Sequence, residues 1–273
     1  MKVGIFGSQY QQEKQSIIRR VFSKLTSLEA EIYVDTLFHD YLLDAFGFEP
    51  PINGLLTGDI FDLDVAISLG GDGTFLRTAA RVNRQNIPIL GINTGRLGFL
   101  ADVGSTDVED TLEELFKHYY KVEERILLRL ETESRAYKGY NYALNEVAVL
   151  KRDTSSMITI HTSLNGEYLT SYQADGLVIA TPTGSTAYSM SVNGPIILPQ
   201  DNSIVLSPVA PHSLNVRPLV IPNDFEITLG VESRNRTFLI SLDGRSEIFP
   251  AGIQLKVSKA DYTTKVIKRY NHT

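Results

Sequence analysis

Two periods of apolar residues divide the chain. Up to about residue 122, short apolar runs alternate with amphipathic stretches. Residues 3–6 read as a strand, and residues 11–27 as a helix with Ile17, Ile18, Val21, Phe22 and Leu25 on one face. Residues 31–34 form a second strand, and a short helix is predicted over 37–46. Pro50-Pro51 then breaks the pattern. The apolar run 65–69, helix-compatible residues 74–82 and the run 88–92 make a strand–loop–helix–strand unit of βαβ length. Asp107 is placed to cap a further helix carrying Val108, Leu112, Leu115 and Phe116. Alternating β and α elements imply a mostly parallel sheet with both faces covered.

Beyond Tyr120 the period falls to two. Ile126, Leu128 and Leu130, then Val147 and Val149, then Ile158, Ile160 and Leu164 alternate with polar residues. Asn165-Gly166 between two such runs signals a type I′ hairpin, and Asp243-Gly244 a second turn. Residues 225–229, 238–242 and 253–257 continue the strand pattern. The fold class expected is α/β plus β. Residues 1–122 form a Rossmann-like parallel-sheet domain, and residues 123–273 a β-rich, sandwich-like domain whose last residues pack back on the first.

Composition narrows the chemistry. The 273 residues contain no Cys, which excludes disulfides and thiolate metal sites, and the five His show no ligand spacing, so no protein-held metal is expected. A net charge of −6 argues against a nucleic-acid partner. No apolar run reaches the ~20 residues of a membrane span, and a strand-like start at Lys2 leaves no room for a signal peptide. A cytoplasmic protein is expected.

The chemistry concentrates in loops. Gly70-Gly71-Asp72-Gly73-Thr74 lies between a buried strand and a helix, where glycines let a ligand approach the backbone and the helix start offers free N–H groups to an anion. It has neither dinucleotide-fold spacing nor a P-loop lysine. On the residues alone, a tight turn with a solvated Asp72 is an equal reading. The strand 176–180 feeds a second small-residue loop, Thr181-Pro182-Thr183-Gly184-Ser185-Thr186-Ala187-Tyr188. Its hydroxyls either cap a helix start or line a site for a base or sugar. Asn145-Glu146, between β runs, reads on its own as a turn.

Together with Asn93-Thr94-Gly95-Arg96-Leu97-Gly98-Phe99, Asp175-Gly176-Leu177, and Ser207-Pro208-Val209-Ala210-Pro211-His212-Ser213-Leu214 followed by Arg217-Pro218-Leu219, these motifs resemble the NAD kinase family over residues 62–244. The first motif is also shared with diacylglycerol kinase-like and phosphofructokinase-like enzymes; the combination is specific. The resemblance implies transfer of the γ-phosphoryl group of ATP to the 2′-hydroxyl of the adenosine ribose of NAD. It implies Asp72 as the catalytic carboxylate and general base, and Gly70, Gly71, Gly73 and Thr74 as the phosphate loop. Asp72, Gly73, Arg77, Phe99, Asn145, Glu146, Asp175, Thr186, Ala187, Tyr188, Ser189, Met190, Ser191 and Ala210 would line the NAD site. It further implies a divalent metal ion, Mg²⁺, bound with the nucleotide, and a homodimer or homotetramer with part of the site crossing a subunit interface.

Two departures stand out. Family members carry Arg where this chain has Gln173, and Gln where it has Arg245, so Arg245 is expected to reach a phosphate in place of the missing Arg. Relatives continue past the position of Thr273 into a helix on the first domain, and a chain cut short there is expected to lose activity. Two other readings are a lipid or sugar kinase, against which the Thr-Gly-Ser-Thr-Ala-Tyr loop speaks, and an NAD(P)-binding sensor, which would leave Asp72 idle.

Overall fold

The computed structural model describes residues 1–9, 14–95, 98–133, 136–152 and 156–270. The chain divides into two compact units, Met1–Glu124 with Thr264–Thr273, and Arg125–Thr263.

The first unit follows the period change read from the sequence. Its elements are β1 (Lys2–Gly7), α1 (Gln15–Ser27), β2 (Glu31–Asp35), α2 (Thr36–Phe46), β3 (Gly54–Leu56), β4 (Val65–Leu69), α3 (Asp72–Val82), β5 (Ile89–Ile92) and α4 (Val108–Phe116). The strands pair in parallel in the order β5-β4-β1-β2-β3. Every residue of β4 and β5 is buried, which is why both read as continuous apolar runs. The predicted face of α1 (Ile17, Ile18, Val21, Phe22, Leu25) packs into the core with Val3, Ile5, Val34 and Leu112. The start expected for this helix at residue 11 lies outside the described residues. Asp107 does occupy the N-cap of α4, but its side chain makes no cap bond; instead its carbonyl accepts from the Thr111 N–H at 2.9 Å and hydroxyl at 2.6 Å.

The second unit takes up the chain within β6 (Lys121–Thr132). It continues through β7 (Tyr142–Ala143), β8 (Glu146–Lys151), β9 (Ile158–Leu164), β10 (Glu167–Ala174), β11 (Gly176–Ala180), the single-turn α5 (Tyr188–Ser191), β12 (Ser203–Val209), β13 (Leu219–Pro222), β14 (Ile227–Glu232), β15 (Thr237–Leu242), β16 (Arg245–Pro250) and β17 (Gln254–Lys268). One antiparallel sheet runs β13-β12-β11-β8-β15-β16, and β10-β9-β14-β17 form another. Their inner faces share one core, with Val147, Val149, Leu177, Ile179, Ile204 and Ile240 meeting Ile158, Ile160, Ile227, Leu229, Leu255 and Val257. Both expected hairpins form. Asn165 and Gly166 take φ of 51° and 84°, Asp243 and Gly244 φ of 48° and 79°, the left-handed pair that a type I′ turn requires.

All five residues of β11 are buried because its outer face is covered as well. Val178, Ala180, Ala148 and Val205 pack there against Tyr188, Val192 and Ile197. The loop read from the sequence as a helix start is instead a 3₁₀ turn, Thr183–Thr186, followed by α5. Its small residues fold tightly over the sheet rather than launching a long helix.

Phe22 is essentially solvent-free and meets Phe48 edge-on with ring centroids 5.7 Å apart. Phe22→Ala is expected to cost about 3–5 kcal/mol, read as a lowered urea midpoint with an unchanged m-value.

Candidate functional site

In the first unit β1 and β4 lie side by side while their connections lead to opposite edges of the sheet, so a switch point falls at their carboxyl ends, where open α/β sheets take ligands. The Gly70–Thr74 loop leaves β4 there. Gly70 has φ of 154°, and a Cβ on it would collide with Thr74, so this glycine is required by the chain's own packing. Gly71 and Gly73 differ: a Cβ on either would meet nothing within 4 Å, and neither has a left-handed φ. Among the described residues no group accepts from the backbone N–H of Asp72 or Gly73 in the first turn of α3. Open space over unpaired helix-start donors is the geometry that receives an anion.

Asp72 opens α3, and its carboxylate gathers three consecutive N–H groups from the second glycine loop. Phe99 donates to Oδ2 at 3.0 Å, and Leu100 and Ala101 donate to Oδ1 at 3.1 and 3.0 Å. Gly98 passes so close that a Cβ would fall inside the carboxylate. Gly91 in β5 lets the same loop lie on the sheet, since a Cβ there would sit 2.7 Å from the Ala101 Cα. Lys268, buried at the end of β17, ties the loop down through Asp102 at 2.7 Å and the Phe99 carbonyl at 3.4 Å. The Phe99 ring itself is exposed. Arg77, one turn into α3, is exposed and donates to the Thr74 hydroxyl at 3.2 Å. Arg96 and Leu97 lie outside the described residues.

In the second unit the residues expected at the dinucleotide site gather around the start of β8. The Thr181 N–H donates to the Asn145 carbonyl at 2.9 Å, and the Thr181 hydroxyl donates to the Leu144 carbonyl at 2.6 Å. A Cβ on Gly184 would strike the Asn145 backbone. Most loop hydroxyls hold the loop itself: Ser185 bonds Pro182 and Ile197, Thr186 bonds Thr183, Ser189 meets Ser207 and Ser191 bonds Tyr188. Two acceptors are left over. Asn145 Oδ1 and Glu146 Oε2 are buried without a hydrogen-bond partner. A buried acceptor without a donor is costly, so these two oxygens point to a ligand that brings donors. Burial, reinforced by the nearby Asp243 charge, pushes the Glu146 carboxyl up to about 7 against a backbone bond from Tyr188. Burial also raises the half-buried Tyr188 phenol.

The remaining expected residues are more scattered in role. Asp175, between β10 and β11, pairs with Lys151 at 2.7 Å. Ala187 and Met190 flank Tyr188, with Met190 exposed. Ala210 holds a φ of 43° at the end of β12, a strained conformation for a residue with a side chain, of the kind that clusters at ligand sites. Arg245, from which a phosphate contact is expected, begins β16. Its guanidinium donates to the carbonyls of Tyr140 at 2.5 Å and Tyr142 at 2.6 Å and lies 4.9 Å from the Tyr140 ring centroid. Sequence reasoning missed Asp243 as more than a turn residue. It accepts the N–H groups of Leu144, Asn145 and Glu146. Its signal was an acid in a turn that Asn or Gly could also have made. No group of three His, Asp or Glu able to hold a metal occurs among the described residues.

The candidate site residues thus comprise a βα loop with open helix-start donors in the parallel-sheet unit, and buried acceptors with a small-residue loop in the β-sandwich unit. The sequence profile of the ATP-NAD kinase N-terminal domain matches residues 3–120, and that of the C-terminal domain residues 144–269. The NAD kinase of Bacteroides fragilis is 53% identical over 272 residues, covering 100% of this chain and 94% of its own. An NAD kinase from Archaeoglobus fulgidus, solved in complex with ATP, superposes with a TM-score of 0.79 at 25% identity, over 99% of this chain and 94% of its own. Yeast NADH kinase complexed with NADH shares the fold, with a TM-score of 0.87 at 24% identity over 98% and 83% of the two chains. The chain belongs to the ATP-NAD kinase family.

The glycines separate by experiment. Gly71→Ala and Gly73→Ala are expected to melt within a degree or two of the parent while losing most ATP affinity by calorimetry; Gly70→Ala should lower the melting temperature outright. A second expectation concerns pH. Glu146 ionises near pH 4.5 when unfolded and about 7 when folded, so the folded state holds the extra proton between these values and stability falls as pH rises through them. Glu146→Gln should therefore gain thermal stability over the parent progressively from about pH 4.5 to 7, with a plateau above and no gain below.

Proposed function

We propose that Asp72 accepts the proton of the adenosine ribose 2′-hydroxyl of NAD as that oxygen attacks the γ-phosphorus of ATP. The reaction is the ATP-dependent phosphorylation of NAD to NADP, the activity for which the family is named. The observation that carries the proposal is the placement of Asp72, a carboxylate held rigidly in the first turn of α3 between two glycines with open space above them.

The step balances simply. The ribose 2′-oxygen forms a bond to γ-phosphorus, the bond from that phosphorus to the β–γ bridging oxygen breaks, ADP leaves and the proton goes to Asp72. Oδ2 accepts one backbone N–H where Oδ1 accepts two, which leaves it the freer lone pair for a hydroxyl. Unpaired N–H groups of Asp72 and Gly73 meet the phosphate charge that develops, and Arg77 adds a cation from the same helix. Asn145 Oδ1 and Glu146 Oε2 receive donors of the dinucleotide, with Tyr188, whose backbone N–H bonds the Glu146 carboxyl, beside them. A divalent cation, Mg²⁺, would accompany the ATP phosphates. It would supply neutralisation of the phosphate charge there. The working form we envisage is a cytoplasmic homodimer or homotetramer. Among the described residues no helix is long and apolar enough to cross a membrane.

The test is a coupled assay for NADP from NAD, ATP and Mg²⁺. The parent should turn over, and Asp72→Asn should lose at least about 100-fold in kcat while still binding NAD. A loss below about tenfold would remove the general-base role. A parent that binds NAD without turnover would be a sensor, and one that ignores NAD would belong with the lipid or sugar kinases.

A further inference from the structure

Three consecutive residues at the start of β8 send their N–H groups into one carboxylate. Leu144 donates to Asp243 Oδ2 at 2.7 Å, while Asn145 and Glu146 donate to Oδ1 at 2.8 and 3.1 Å. The Asp243 N–H returns a bond to the Glu146 carbonyl at 3.2 Å. On the other side Thr181 takes the carbonyls of Leu144 and Asn145. Main-chain groups of this turn are thus paired from both sides, and the unpaired atoms are the side-chain oxygens Asn145 Oδ1 and Glu146 Oε2.

We propose that Asp243 is a positioning residue for the dinucleotide. By clamping the 144–146 backbone it holds two buried acceptors in place, before binding, for hydroxyl or amine donors of NAD. The inference rests on the reading of NAD as substrate. A left-handed Asp at this hairpin is not needed for the turn alone, since Asn or Gly adopts φ of 48° at least as readily. What only a carboxylate supplies is acceptor capacity for three N–H groups at once.

The same carboxylate also acts on Glu146 through charge. The groups facing Glu146 are Asp243 from the hairpin and Tyr188 from the loop, whose backbone N–H draws its carboxyl down. Asp175 and Glu146 both act on the Tyr188 phenol, and Arg245 on Asp243 itself. Burial pushes Asp243 up, opposed first by its three N–H bonds and then by Arg245. Taking away the Asp243 charge relieves like-charge repulsion on Glu146 and lowers the pH at which Glu146 ionises.

The test is steady-state kinetics of Asp243→Asn against the parent from pH 5 to 9. Asn keeps one acceptor oxygen but turns an NH₂ toward the Leu144 N–H, so the clamp opens at one end. KM for NAD is expected to rise about tenfold or more, with KM for ATP unchanged within about twofold. The acid limb of kcat/KM for NAD should move to lower pH, a shift that a general loss of stability would not produce. An unchanged KM for NAD and an unmoved acid limb in a folded, active variant would overturn the inference while leaving the substrate reading intact. A parent that makes no NADP would remove the substrate reading and the inference with it. Should Asp243→Asn fail to fold, Asp243→Ser, which retains a short acceptor without charge, is expected to show the same selective rise, and parental values there would overturn the proposal.

Discussion

One physical device organises both units: a single carboxylate accepting three successive backbone N–H groups. Asp72 does this for Phe99, Leu100 and Ala101, and Asp243 for Leu144, Asn145 and Glu146. Irregular backbone near a ligand has no helix or sheet partner for its donors, and unpaired buried donors are costly. Charge-assisted bonds to one carboxylate meet that need and fix the loop at the same time. Each loop is thereby rigid without being regular, which is the state a binding site requires. The surroundings are built around this. Gly91 and Gly98 exist to let the first loop reach Asp72, and Gly184 lets the second small-residue loop lie against Asn145.

The glycines divide into those that serve the chain and those that serve something outside it. Gly70, Gly91, Gly98 and Gly184 would each drive a Cβ into a neighbour, so internal packing explains them fully. Gly71 and Gly73 have no such neighbour and no unusual φ. A glycine inside a helix costs conformational entropy relative to alanine, as at Gly73, whereas at an N-cap, where Gly71 sits, glycine is itself favoured. Nothing within the chain offsets that cost at Gly73. A ligand lying directly on the backbone would, as the proposed reaction requires of this loop.

Period and turn chemistry made most of the fold legible. The 3.6 period of Ile17, Ile18, Val21, Phe22 and Leu25 and the alternation through Val147, Val149, Ile158 and Ile160 mark faces that are buried as read. Asn165-Gly166 and Asp243-Gly244 can hardly be anything but tight hairpins. What escaped was non-local. β12 carries Pro208 and β13 ends in Pro222, so neither shows clean alternation, and β3 is three residues long. The 181–188 loop looks like a helix start because Ser and Thr are good caps, yet its hydroxyls close short turns over β11 instead. The surroundings of Arg245 are equally non-local: Tyr140 and Tyr142, over a hundred residues earlier, offer it carbonyls and an aromatic face that no local pattern announces. The importance of Asp243 is hidden for the same reason. A turn-forming acid has its local explanation already, and the three N–H groups it gathers come from a neighbouring strand about a hundred residues earlier in the chain.

The geometry of Asp72 bears on how its chemistry is divided. A carboxylate used only to remove a proton could be mobile; this one is fixed through both oxygens, with the loop it holds anchored in turn by Lys268. Phosphoryl transfer passes through a loose transition state in which little bond formation to the nucleophile has occurred, so early proton removal contributes less than alignment of the attacking oxygen. Rigid placement of one hydrogen-bond acceptor beside an anion-receiving helix start supplies that alignment. Asp102 and Lys268 are tied to Asp72 through the 99–102 loop, as Asp243 is to the buried acceptors Asn145 Oδ1 and Glu146 Oε2 through the 144–146 backbone. In the proposed reaction, two carboxylates with the same hydrogen-bonding pattern would therefore serve different halves of the problem, one the reacting oxygen and the other the molecule that carries it.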